Sequence, residues 1–255
     1  MNTLSPSPLR NLANKVPEVT LIFWIIKMMS TTVGETAADF LNVDMGFGLA
    51  GTSVVVGLLL AVALFFQVRA RRYLPSLYWT TVVFVSVFGT LVTDNLSDVW
   101  GVPMAVSTGV FSVLLAVVFA IWYAREKTLS IHQIDSLPRE LYYWLAILTT
   151  FALGTAAGDW FAEGLKLGYA HSAWAFGAAI ALVYLAHKLL RVSAVGCFWI
   201  AYILTRPLGA ALGDWLSQAP ANGGLGMGAT GTSGLFLVTI IGAVLYLSLF
   251  QKKLA

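Results

Sequence analysis

Four aspartates stand at matched positions in this chain: Asp39, Asp94, Asp159 and Asp214. Each follows a glycine by five residues (Gly34, Gly89, Gly154, Gly209), and each glycine follows a tryptophan by ten (Trp24, Trp79, Trp144, Trp199). Residues four apart share a helix face, so stepping back from each aspartate gives four comparable stripes. The first reads Lys27, Thr31, Glu35, Asp39. The second reads Val82, Ser86, Thr90, Asp94, with Asp98 beyond. The third reads Ile147, Phe151, Thr155, Asp159, with Glu163 beyond, and the fourth Tyr202, Arg206, Ala210, Asp214. Carboxylate oxygens suit Mg²⁺, Mn²⁺ or Ca²⁺ better than soft metals. Glu35 and Asp39, one turn apart, are placed to share a cation or a proton. Lys27 and Arg206 are the basic residues inside apolar stretches, and the five acids Glu35, Asp39, Asp94, Asp159 and Asp214 outnumber them by three. That surplus must be met by protons, by bound cations or by water. Catalysis is not expected: His132, His171 and His187 lack ligand spacing, and no nucleophile stands beside a base.

These stripes need helices to carry them. The 255 residues are 58% hydrophobic and only 11% charged, with a mean hydropathy of +0.81. A soluble chain carries about 25% charged residues, so most of this surface is built for lipid. Apolar segments at about 17–41, 46–68, 74–97, 102–124, 138–162, 169–190, 193–217 and 231–250 each have the length of one spanning helix. The predicted fold is all-α: a polytopic membrane protein of eight transmembrane helices, arranged as four parallel two-helix repeats in two halves. A tail (1–14) precedes the first half (15–123), and a linker (124–140) leads to the second (141–255). With eight spans, 12 of the 15 Lys and Arg residues lie on one side. Positive-inside logic then puts both termini in the cytoplasm. The N-terminal residues show no removable signal peptide.

An ionised side chain facing lipid at mid-depth costs about 2.5–3.5 kcal/mol on insertion scales, so the stripes should face the bundle interior. Fifteen residues from Trp to Asp span about 22 Å, which places the aspartates toward the outer side. Other features read as structural. The repeated tryptophans are expected to be interfacial anchors and packing groups. Gly34, Gly154 and Gly209 each precede a small residue by four (Ala38, Gly158, Gly213), a pattern that lets helices approach closely. Pro207 predicts a kink or local opening beside Arg206. The Gly-rich stretch 223–228 reads as a flexible outer loop, and Cys197 as a packed thiol.

The segments FWIIKMMSTTVGETAADF (23–40), LGTAAGDW (153–160) and ILTRPLGAALGDWL (203–216) resemble a family of bacterial membrane-anchored proteins built from a tandem repeat of unknown function. The resemblance covers about residues 15–250. Its sharpest element is Lys27, Thr31, Thr32, Gly34 and Glu35, found in the first repeat alone, while the second repeat, FGTLVTDNLSD at 88–98, departs most. It implies four two-helix repeats in a bacterial inner membrane and supplies no activity. The residues themselves point to a transporter or channel-like protein. The expected pathway is Lys27, Thr31, Glu35, Asp39, Ser86, Thr90, Asp94, Thr155, Asp159, Arg206 and Asp214. No cofactor is established; a divalent cation such as manganese is the candidate ligand, held by Glu35, Asp39, Asp94, Asp159 and Asp214. The expected partners are the bilayer and a small ion or solute, not nucleic acid; the oligomeric state stays open. A small-anion transporter using Lys27 and Arg206 is one alternative, and a membrane sensor or scaffold another.

Overall fold

The structure, a computed structural model, describes residues 14–254. It contains eight long helices: α1 (Leu21–Asp39), α2 (Gly48–Arg69), α3 (Pro75–Asp94), α4 (Met104–Glu126), α5 (Leu137–Asp159), α6 (Tyr169–Leu190), α7 (Ala194–Ser217) and α8 (Gly228–Leu254). There is no strand among the described residues. Local sequence starts some of the helices. Thr20 accepts a hydrogen bond from the Phe23 amide at 3.3 Å. Prolines open α3 and α5, where a missing N–H costs nothing.

Seven of the eight are long and apolar enough to cross a membrane. The exception is α1, whose Lys27, Ser30, Thr31, Thr32, Glu35 and Thr36 are all buried. A helix enclosed by protein has no need of an apolar surface. Burial separates the helices by parity. The apolar windows of α3, α5 and α7 are 61%, 72% and 50% buried, against 22%, 22%, 11% and 17% for α2, α4, α6 and α8. The odd-numbered helices form an inner ring in which α1 packs on α3 and α7, and α5 packs on the same two. The even-numbered helices form an outer, lipid-facing layer.

The outer helices do not cover their own repeat. α2 lies on α3, α4 on α5, α6 on α7, and α8 returns to lie on α1. Each unit shields the next, and the last shields the first, so the ring closes and the two halves meet in one core. The 124–140 segment belongs to that core through buried Ile131 and Ile134. At the same end, Lys15 donates to the Val68 carbonyl at 2.9 Å and pairs with buried Glu140 at 2.6 Å. The N-terminal segment, the α2–α3 turn and the linker therefore gather at one end, as the basic loops require.

Two features correct the sequence reading. Trp79, Trp144 and Trp199 are buried and Trp24 is half-buried, so the repeated tryptophans are the packing groups expected but not headgroup anchors; Trp199 packs outward on Phe119 and Trp122 of α4. Trp100 and Trp174, 72% and 76% exposed, are better placed for an anchoring role. The Gly-rich stretch is not a free loop. It folds back on the end of α7, with Leu225, Gly226 and Met227 amides donating to Trp215, Gln218 and Leu216 carbonyls at 2.7–2.9 Å. α7 runs on through Pro207, and a side chain added at Gly158 of α5 would touch Pro207.

Candidate functional site

The inner ring stacks the stripe residues in layers. Lys27, Val82, Ile147 and Tyr202 occupy one level; Thr31, Ser86, Phe151 and Arg206 the next; Glu35, Thr90, Thr155 and Ala210 the third. All twelve are buried, so the polar stripes do face inward. The four repeat glycines make this possible in a cyclic pattern. A Cβ on Gly34 would run into Ser86, on Gly89 into Phe151, on Gly154 into Arg206 and on Gly209 into Thr31. Each glycine thus receives the residue that lies three positions before the glycine of the next repeat. Threonines fasten the same seams: Thr32 Oγ1 donates to the Gly209 carbonyl at 3.2 Å, and Thr93 Oγ1 to the Ala152 carbonyl at 3.1 Å.

Arg206 is the hub. Its guanidinium reaches from α7 to all three other inner helices. Nη1 donates to the Thr31 carbonyl at 2.7 Å and Nε to the Phe151 carbonyl at 3.4 Å. Nη2 bonds Thr155 Oγ1 at 2.6 Å, Thr90 Oγ1, and the Glu35 carboxylate at 3.2 Å. Thr90 Oγ1 also lies 3.3 Å from Glu35 Oε2. A fully buried cation is tolerable when its charge is paired and its donors find acceptors; here Glu35 pairs the charge and each of the three nitrogens donates.

Above Arg206 the acids gather. Glu35, Asp159 and Asp214 offer carboxylate oxygens all within 4.8 Å of one another. Asp39 and Asp94 are half-buried and are not part of that group. Beyond its neighbour Asp39 on α1, Glu35 meets Arg206 and, across the ring, Asp159 and Asp214. Three carboxylates at this spacing form a hard-oxygen donor set of the kind that Mg²⁺, Mn²⁺ or Ca²⁺ accepts.

Below Arg206 the ring is closed by aromatic rings. The Phe151 ring lies 5.4 Å from the Arg206 guanidinium and 4.2 Å from Lys27 Nζ, which also sits 4.3 Å from the Tyr202 ring. Among the described residues Lys27 has no hydrogen-bond partner, and neither has the buried Tyr202 hydroxyl. Two ring faces supply cation–π attraction in place of the carboxylate that sequence reasoning had allowed. Further down, the Tyr78 and Tyr143 hydroxyls bond each other, Phe23 packs on Trp79 at 5.5 Å, and Trp199 Nε1 donates to the Leu129 carbonyl at 2.9 Å. In the turn after α2, burial pushes the Tyr73 phenol up.

Two features escaped the sequence reading. Asp39, Asp94 and Asp159 are each followed by one wide, π-type turn: Phe40–Asp44, Asn95–Val99 and Trp160–Gly164. Such turns concentrate at functional positions. No composition signal marks them in advance. Asp214 has no such turn: the chain turns extended at Gln218 and Ala219, ahead of Pro220. The second is Glu140, buried with Lys15 and 3.4 Å from Gln67 Nε2. Its burial depended on a linker fold that periodicity does not reveal.

Four interlocked two-helix units, a lipid-facing outer layer and an ionisable inner stripe together define a helical, multi-span membrane protein made by internal repetition. The units recur as sequence too. A family model described as Repeat of Unknown Function (DUF347) matches residues 22–73, 77–128, 142–193 and 197–253, one inner and one outer helix each time, and the chain belongs to that family. No curated protein and no solved structure matches it.

Proposed function

We propose that this protein is a membrane transporter for a small cation, with a divalent ion such as Mn²⁺ as cargo and proton movement as its coupling partner. The observation that carries this reading is the convergence of Glu35, Asp159 and Asp214 within 4.8 Å, directly above a guanidinium bonded to one of them. An arriving cation would compete with Arg206 for Glu35. Releasing Glu35 would free Arg206 from one of its bonds and loosen the seams it holds across α1, α3 and α5. Phe151, Lys27 and the aromatic layer beneath would keep the opposite end shut until then. Occupation and opening would thus be linked through one residue, which is the logic of a carrier rather than an open pore. We place it in a bacterial inner membrane with both termini cytoplasmic, on the strength of the basic residues at the Lys15–Glu140 end.

Flux of Mn²⁺ and of protons into proteoliposomes tests this, comparing the native chain with Asp159→Asn, Asp214→Asn and Glu35→Gln. Loss of flux in all three supports the reading; native rates in all three overturn it. One observation favours a second reading, transport of a small anion: the unpartnered Lys27 ammonium beside the unpartnered Tyr202 hydroxyl. Chloride flux abolished by Lys27→Met but indifferent to Asp159→Asn would favour it.

A further inference from the structure

Two crevices open toward lipid on either side of α7, at the end that carries the basic loops. One, of about 800 Å³, runs between α6, α7 and the start of α1, walled by Trp24, Gly177, Ile180, Phe198 and Ala201. The other, of about 620 Å³, runs between α4 and α7, walled by Phe119, Trp199, Ile200 and Ile203. Leu129 and Val195 line both, so the crevices share an origin and diverge from it. The shared end is polar and basic. Lys127 and Ser193 line the smaller crevice, and His132 and His187 the larger. His187 bonds the Val192 carbonyl through Nδ1 at 2.9 Å, and its Nε2 makes no such bond among the described residues. Exposed Lys188 and Arg191 follow directly in the chain. The acids close to this end are themselves paired: Glu18 lies 3.9 Å from His132, and Arg139 holds Glu126 and Asp135 at 2.8 and 3.0 Å.

We propose that this surface seats one anionic diacyl phospholipid. One acyl chain lies in each crevice, the chains part around Leu129, and the phosphate rests among Lys127, His132 and His187. The geometry matches the molecule: two apolar arms, one shared polar head. The charge matches as well, since basic pockets between membrane helices recruit anionic headgroups. A neutral lipid would fill the same arms without using the cationic end. The proposal stands apart from the transport reading.

Cys197, the chain's single cysteine, lines the larger crevice and reports on its occupancy. The full-length protein, delipidated in a nonionic detergent, would be titrated with dioleoyl phosphatidylglycerol, dioleoyl phosphatidylcholine, lyso-phosphatidylglycerol or inorganic phosphate. Alkylation of Cys197 by N-ethylmaleimide and the melting temperature would be followed. Phosphatidylglycerol is expected to slow alkylation and raise the melting temperature at concentrations where the other three do not, and Lys127→Gln should weaken it about fivefold. Gly177 faces open space, so Gly177→Leu keeps the fold and should abolish protection by blocking an arm. Equal effects of phosphatidylcholine and phosphatidylglycerol would overturn the headgroup assignment. Equal effects of the single-chain lipid would overturn the two-arm seat, and protection by inorganic phosphate alone would reassign the site to a free anion.

Discussion

Replacing Arg206 by Met should destabilise the protein far more than the count of lost hydrogen bonds implies, and nearly all of the cost should trace to one residue. The carbonyls of Thr31 and Phe151 belong to helices, so each keeps a partner within its own backbone ladder when the guanidinium goes. Thr90 and Thr155 hydroxyls lie 3.4 Å apart and can turn to each other. Only Glu35, its carboxylate 8% exposed, is left charged without a counter-ion. Breaking a buried pair from one side costs about 3–5 kcal/mol, whereas removing both partners is often close to neutral. Arg206→Met should therefore lose about 3–5 kcal/mol, and Glu35→Gln with Arg206→Met should recover most of it, leaving roughly 1–2 kcal/mol from the hydroxyls and lost packing. Reversible unfolding in mixed micelles, read as a double-mutant cycle over the four proteins, measures this directly. Additive single-mutant effects would refute the reasoning, because they would mean that the Arg206–Glu35 contact carries no coupling.

The glycine seams give a second expectation. Gly154→Ala, which drives a methyl into Arg206 and Pro207, should cost about 1–3 kcal/mol. Gly109→Ala and Gly242→Ala, on outer helices with open space around them, should be neutral or stabilising by up to about 1 kcal/mol; melting temperatures separate the two outcomes. Lys15→Ala should strand buried Glu140 and cost about 3 kcal/mol, and Glu140→Gln in the same chain should restore stability, as read by denaturant midpoints. Tyr78→Phe should leave the buried Tyr143 hydroxyl unpaired at a cost of about 1–3 kcal/mol, while the Tyr78→Phe, Tyr143→Phe double variant returns close to native. Thermal unfolding of the three proteins checks that ordering.

Some of the site was visible before any coordinates. The frame from Trp24 to Asp39, repeated three times more, marked the inner helices. The cost of exposing Lys27, Glu35 or Arg206 to lipid required their stripes to face inward, and all three are buried. Other assignments failed for identifiable reasons. Helical periodicity tells which residues share a face but not which neighbour that face meets, so it pairs Glu35 with Asp39 on its own helix and is silent on Arg206, Asp159 and Asp214 across the ring. Charge counting treats Lys27 and Arg206 alike, whereas the structure gives Arg206 a carboxylate and Lys27 two aromatic rings. The repeated tryptophans looked interfacial because their position near helix starts is the same for an anchor and for a core residue.

What the amino-acid order determined alone is what local and compositional physics can enforce: spanning helices, a fourfold unit and an inward polar edge. Each follows from the cost of placing backbone or charge in hydrocarbon, which applies to every segment separately. Only the tertiary structure decided that each outer helix covers the following unit, that α8 closes the circle over α1, and that one guanidinium ties four helices together. Those outcomes depend on contacts between residues up to 197 positions apart, and distance along a chain carries no record of which seam will be the tightest.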